Sequence, residues 1–181
     1  MENQIKTFND FDVILNQCEE IRKKKRKDYG DSWKIFRPSS ITDQIYIKAA
    51  RIRSVQEKKE NRVGEPLKDE FTGMINYSLM ALFQLDRREK EITDDERFEK
   101  IISEIKILLD KKNHDYGEAW RNLRISSMVD LILAKLIRLK QIESNNYNVQ
   151  VSEEAFASYQ DVINYCVFCL ILIREGTDPM I

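Results

Sequence analysis

The sequence predicts an all-α protein, a six-helix bundle built from two tandem, pseudo-symmetric three-helix repeats. Three observations predict it. Apolar residues recur at steps of three and four along most of the chain. Helix breakers are scarce, with five Gly and three Pro in 181 residues. And one set of uncommon residues occurs twice, in the same order and at the same spacing. No run of alternating polar and apolar residues is long enough to predict a strand.

The repeat is carried by Asp28-Tyr29-Gly30-Asp31-Ser32-Trp33 and Asp115-Tyr116-Gly117-Glu118-Ala119-Trp120. At the same offset Lys25 matches Lys112, Arg37 matches Arg124, Ser39-Ser40 matches Ser126-Ser127, and Asp43 matches Asp130. Lys48 and Arg51 match Lys135 and Arg138. After one inserted residue Glu65 matches Glu153, and Asn76-Tyr77 matches Asn164-Tyr165. The two Trp residues of the chain hold equivalent positions. This is a duplication, with 1–90 as the first three-helix repeat and 91–181 as the second. Three short helices bury too little alone, so the halves are expected to share one core.

In the first repeat, Phe8, Phe11, Ile14, Cys18 and Ile21 mark a helix that stops before Gly30, a residue suited to a left-handed C-cap. Ile41, Ile45, Ala49, Ile52 and Val55 mark the second helix; Phe71, Met74, Ile75, Leu79, Leu82 and Phe83 mark the third. The second repeat follows with Phe98 to Leu109, then Met128, Leu131, Ile132, Leu136 and Leu139, then Phe156 to Ile171. Ser40 with Asp43, Ser127 with Asp130, and Thr93 with Glu96 are spaced as capping boxes. Pro66 suits a first helical turn, and Gly176 ends the last helix.

Composition narrows the function. Lys plus Arg is 30 against 31 Asp plus Glu, a formal charge of −1, so no global basic field drives nucleic-acid binding. The first ten residues are polar and carry no apolar signal segment, and the apolar run from Cys166 to Ile173 is short for a membrane span. The expected location is cytoplasmic. Three cysteines give no disulfide framework, and Cys166 with Cys169 in an apolar helix read as core. A single His, His114, opposes a His-dependent triad or zinc site.

The shared residues form three candidate groups. Tyr29, Trp33, Tyr116 and Trp120 offer flat faces with polar edges for a base, while Gly30 and Gly117 read first as helix C-caps. The basic run Arg22 to Lys27 reads as a solvated face at a helix C-terminus. Lys48 with Arg51, and Lys135 with Arg138, stand at i, i+3 on apolar helices and point the same way, as an anion site would. Their counter-reading is a pair of long stems lying over the core. Glu65, Asp69 and Asn76 in the first repeat, and Glu153, Asp161 and Asn164 in the second, place oxygens along one face of the third helix. Carboxylates so arranged suit Mg²⁺, which brings waters and phosphates with it. An acid among Tyr159, Val162 and Ile163, as Asp161 is, needs a partner.

The pattern Lys-x-x-Asp-Tyr-Gly-x-x-Trp, then Arg-x-Ser-Ser, then Asp-x(4)-Lys-x-x-Arg, then Glu…Asn-Tyr resembles the family named nucleotide modification associated domain 1. It covers nearly the whole chain, twice. A more distant similarity is to the all-α nucleoside triphosphate pyrophosphohydrolases, the MazG and dimeric dUTPase group, which hold Mg²⁺ with acids from two helices. In that group the metal motif pairs an E-x-x-E helix with an E-x-x-D helix. Here the second helix of each repeat carries Lys and Arg instead.

The resulting expectation is a nucleotide-binding bundle, with Mg²⁺-dependent hydrolysis of (deoxy)nucleoside phosphates as the activity the resemblances imply. Tyr29, Trp33, Arg37, Lys48, Arg51, Asn76, Tyr116, Trp120, Arg124, Lys135, Arg138 and Asn164 are the expected substrate contacts. Glu65, Asp69 and Asp161 are the expected Mg²⁺ ligands. The partner is a small nucleotide, with no membrane and no strong nucleic-acid signal; self-association into a homo-oligomer is left open. The competing expectation is a non-catalytic adaptor or assembly module. In it the shared charges form a buried network, with the Lys/Arg pairs meeting Asp69 and Asp161.

Overall fold

The computed structural model describes residues 2–86, 92–145 and 151–176, with side chains described from residue 6 and, in the last segment, from residue 154. The described residues form six α-helices: α1 (Glu2–Tyr29), α2 (Pro38–Lys58), α3 (Leu67–Leu85), α4 (Asp94–Tyr116), α5 (Ile125–Ser144) and α6 (Val151–Glu175). Among the described residues there is no strand. Short 3-10 turns, Ser32–Ile35 and Ala119–Asn122, follow α1 and α4.

The duplicated Asp-Tyr-Gly-x-x-Trp segment explains these turns. Gly30 and Gly117 adopt φ of 63° and 60°, a region that costs an L side chain energy and costs glycine nothing. Their amides close the helix ends onto Arg26 O and Asn113 O, both at 2.9 Å. No atom lies within 4 Å of a Cβ built at either glycine, so the demand is for backbone conformation rather than for space. The turn that follows carries Trp33 and Trp120 inward to 8% and 7% exposure. Trp33 meets Phe83 edge-on, and Trp120 stacks on Phe168 at 4.2 Å. The glycines are thus C-caps, and the tryptophans fasten each connection to the core.

Helices α2, α3, α6 and α5 form a closed ring of contacts, each packed on the next. Helix α1 lies against α6, α3 and α4, and α4 lies against α3. First-repeat residues such as Phe11, Ile45 and Phe71 and second-repeat residues such as Phe98, Ile132 and Ile163 belong to one hydrophobic cluster. Burying a Leu, Ile or Phe side chain contributes roughly 1.5–3 kcal/mol, so this shared interior outweighs any single polar contact. Cys18, Cys166 and Cys169 are part of it. Burial pushes the Cys18 thiol up to about 12 and Cys166 well above the ordinary range, so both stay protonated and inert.

Several expectations need correction. The pairs Ser40–Asp43 and Ser127–Asp130 cap nothing. Pro38 at the first position starts α2 a turn earlier, and the N-caps are Arg37 and Arg124, with no side-chain cap bond. Pro66 is itself the N-cap of α3 rather than a first-turn residue. The Thr93–Glu96 box is formed in both directions. Leu131 points outward at 39% exposure. Within the basic run, Arg22 is buried, bonded to Glu19 and Asp95 and laid over the Phe98 ring at 3.9 Å. The last helix is longer in apolar reach than its sequence run suggested. Glu154–Glu175 is long and apolar enough to cross a membrane, and most of it is buried inside the protein.

Candidate functional site

A cleft of about 600 Å³ opens in the first repeat, where the end of α1 and the 3-10 turn face α3 across Lys48 of α2. Its charged lining is Lys25, Lys48, Glu65, Asp69 and Glu70, with Arg22 and Arg26 at one side. Its flatter surfaces are Tyr29, Trp33, Phe36 and Tyr77. Ile21, half-exposed on α1, faces the same space.

Each cleft residue is set by its helix. Lys25 and Tyr29 lie one turn apart at the end of α1, on the side facing α3. Lys25 has no hydrogen bond or ion pair among the described residues, which leaves its ammonium available. Lys48 crosses from α2 and lies over Gly73; a Cβ there would stand 2.8 Å from Lys48 Cε. Its Nζ donates to Glu70 at 2.9 Å. Arg51, one turn along α2, also binds Glu70, and makes a 3.4 Å contact to Glu65. Burial alone would push the Glu70 carboxyl up. The hydrogen bonds and charges of Lys48 and Arg51 outweigh that and hold it below its ordinary value.

Asn76, on α3, is buried and lines the cleft, and its Oδ1 is sealed from solvent with no hydrogen-bond partner. A buried amide oxygen left unanswered costs about 1–3 kcal/mol, and the equivalent Asn164 carries the same cost on both of its amide atoms.

The expected substrate contacts divide as follows. Tyr29, Trp33, Lys48 and Asn76 share the cleft. Trp33 gives it an edge of wall, since most of its ring is packed away. Arg51 does not line it and is paired with Glu70 and Glu65. Arg37 is an exposed N-cap outside it, as Arg124 is in the second repeat. Trp120 and Asn164 are buried, Tyr116 is exposed, and Arg138 pairs on the surface with Glu154 at 3.0 Å. Lys135 binds Asp161. The side chain of Glu153 lies outside the described residues.

The expected metal set needs correction. Asp161 is held by Lys135 at 2.7 Å and by Lys112 at 2.5 Å, and two ammonium groups on one carboxylate oppose a cation there. It does not line the cleft with Glu65 and Asp69. Among the described residues no three His, Cys, Asp or Glu side chains gather as a metal cluster. Glu65 and Asp69 do fit a lighter role. The Glu65 side chain is 70% exposed, its carboxylate meeting only Arg51 at 3.4 Å among the described residues, and the Asp69 carboxylate has no ionic partner among them. Mg²⁺ commonly takes one or two carboxylates and completes its shell with water and phosphate.

Sequence reasoning missed Glu70 and Lys25 as site residues. Glu70 is the acid that both Lys48 and Arg51 reach, and its counterpart at the repeat offset is Ser158. A search for residues shared by the two copies passes over it. The signal for Lys25 was present, since Lys112 matches it.

Fold and cleft together define an all-helical protein made of a duplicated three-helix unit, with a polar, aromatic-edged cleft on the first copy. The chain belongs to the nucleotide modification associated domain 1 family, whose model matches residues 25–85 and 112–173. No curated protein and no solved structure is found to match it.

Proposed function

We propose that the cleft of the first repeat binds a nucleoside phosphate. The observation that carries this reading is the company Lys25 keeps. An ammonium with no partner among the described residues shares one cleft with the flat faces of Tyr29 and Tyr77 and with Asn76, whose buried Oδ1 has no hydrogen-bond partner among them either. A phosphate wants the first, a base stacks on the second, and a base edge answers an amide. The family's name points toward the same chemistry. Lys25 and Lys48 would hold phosphate, Tyr29 and Tyr77 would flank the base, and Asn76 would read its edge.

Glu65 and Asp69 would hold Mg²⁺ on the bound phosphates, supplying the charge that hydrolysis of a phosphoanhydride needs. In this reading the chain's own contribution to hydrolysis is position and charge.

The test is thermal denaturation of the protein with nucleoside mono-, di- and triphosphates, each with and without Mg²⁺. A ligand at a hundred times its dissociation constant adds about 2.7 kcal/mol of stability. A shift for one nucleotide class supports the site, and its dependence on Mg²⁺ supports the metal. Identical melting with every nucleotide sinks the reading.

A second reading, a non-catalytic helical adaptor held by an internal charge network, is favoured by Lys112, Asp161 and Lys135, which join α4, α6 and α5 without any ligand. It describes the second repeat well. In the first repeat Asp69 has no cationic partner among the described residues, contrary to what that reading expects.

A further inference from the structure

Duplication supplies an internal control for the cleft. Both repeats place a lysine near the end of the first helix, Lys25 and Lys112, and another on the second helix, Lys48 and Lys135. In the second repeat the two lysines close on one carboxylate, that of Asp161. At the equivalent place in the first repeat stands Gly73, with Lys48 lying across it. The acid there is one turn earlier, as Glu70, and it takes Lys48 and Arg51, both from α2. Among the described residues no hydrogen bond or ion pair ties Lys25 to the neighbouring helices. One acid therefore joins three helices in the second repeat, and two in the first.

The buried amides differ in the same direction. Asn164 has both Oδ1 and Nδ2 sealed and unpaired, whereas only Oδ1 of its counterpart Asn76 is sealed. The Trp120 indole nitrogen is sealed and unpaired, and the Trp33 nitrogen is not. The neighbourhood of Asp161 is the more closed of the two.

We propose that Asp161 is a resident carboxylate, occupying in the second repeat the position that an oxyanion of the ligand, a phosphate group, takes between Lys25 and Lys48 in the first. The second repeat is then permanently self-occupied, and the chain has one open ligand site. The identity of the ligand rests on the nucleotide reading above; the plug does not. A carboxylate and a phosphate oxygen make the same charge-assisted bonds to two ammonium groups, so one can stand where the other would.

The experiment is calorimetric titration of the purified full chain with pyrophosphate and with the nucleotide that shifts its melting most, comparing wild type, Asp161→Gly and Gly73→Asp. Asp161→Gly rebuilds the Gly73 arrangement and frees Lys112 and Lys135. It is expected to gain a second equivalent of bound pyrophosphate while its melting temperature falls by several degrees. Gly73→Asp offers Lys25 and Lys48 an internal partner once Lys48 swings clear of the new Cβ, and is expected to weaken binding at the first site about tenfold or more, beyond the loss Gly73→Ala causes by displacing Lys48 alone. Asp161→Asn keeps the side-chain volume and serves if the glycine variant does not fold; it too should gain pyrophosphate binding. Two equivalents bound by wild type, or a folded Asp161 variant that gains none, overturns the plug. Wild type that binds no nucleotide defeats the nucleotide reading alone. The gain of pyrophosphate in the Asp161 variants still decides the plug.

Discussion

The side chain of Lys48 runs across Gly73, so closely that a Cβ on that glycine would stand 2.8 Å from Lys48 Cε and 3.2 Å from Nζ. Gly73 sits inside α3, where alanine is favoured over glycine by about 1 kcal/mol. The atoms in the way are the far end of a flexible chain, which can swing aside at small cost. Gly73→Ala is therefore expected to melt at the wild-type temperature or slightly above it. Its Lys48 is displaced from the cleft, so affinity for the nucleotide that shifts wild-type melting should fall severalfold. A calorimetric titration beside a melting curve separates the two effects. Unchanged affinity would mean that Lys48 does not touch the ligand.

Lys25 gives the cleanest functional test because it has no partner to lose among the described residues. Lys25→Ala should leave the melting temperature of the free protein within about 1 °C, as surface changes commonly do. Loss of one charge-assisted phosphate contact of about 1.4 kcal/mol weakens binding about tenfold. The affinity gap should narrow as salt is raised, since an exposed ammonium is screened. If Lys25→Ala and wild type bind every nucleotide alike, the phosphate position is elsewhere.

Acid titration tests the network around Asp161. Burial pushes the Asp161 carboxyl up; hydrogen bonds from Lys112 and Lys135, with their charges, outweigh this and leave it below its ordinary value. In the unfolded chain an Asp titrates at about 3.9. A carboxyl depressed on folding adds stability that is fully present above that value and is lost as pH falls through the folded one. Both lysines are partly exposed, which limits the contribution to about 1–2 kcal/mol. Asp161→Asn should accordingly melt about 2–8 °C below wild type at pH 7. The gap should shrink as pH drops below about 4, because wild type loses there what the variant already lacks. Melting curves from pH 7 to pH 3 decide it: a constant gap would assign the loss to packing rather than charge.

The helices were readable because the apolar spacing is regular and breakers are rare, and the repeat exposed every residue the copies share. Lys48 and Lys135 were found that way. The same filter hid Glu70, opposite Ser158, and misassigned the metal set by combining Glu65 and Asp69 with Asp161 from the other copy. Sequence spacing shows which residues share a helix face, but not which lysine reaches across from another helix. The Asp161 contacts with Lys112 and Lys135 come from α4 and α5, and only the packed bundle brings them together. The cap positions failed for a local reason. Both helices start before the expected cap, α2 at Pro38 and α5 at Ile125, so Ser40 and Ser127 already lie inside the first turn. Trp33 and Trp120 are expected from the sequence as base platforms; their burial against Phe83 and Phe168 shows them as anchors of the connections to the core.

Glu70 offers a test in which stability and binding move in opposite directions. Its side chain is 10% exposed and receives both Lys48 and Arg51, so Glu70→Gln keeps the shape and removes the charge that two cations share. The cations are themselves 27% and 20% exposed and can turn toward water, which holds the loss to about 1–3 kcal/mol. The freed Lys48 then faces the cleft with no internal carboxylate competing for it. An anionic ligand should bind the variant several times more tightly than wild type, even though the variant melts lower. If Glu70 instead holds the ligand or its metal, affinity falls together with stability. Titration of wild type and Glu70→Gln with one nucleotide, at two salt concentrations, distinguishes these outcomes, because an affinity gained from uncovered charge fades as salt screens it.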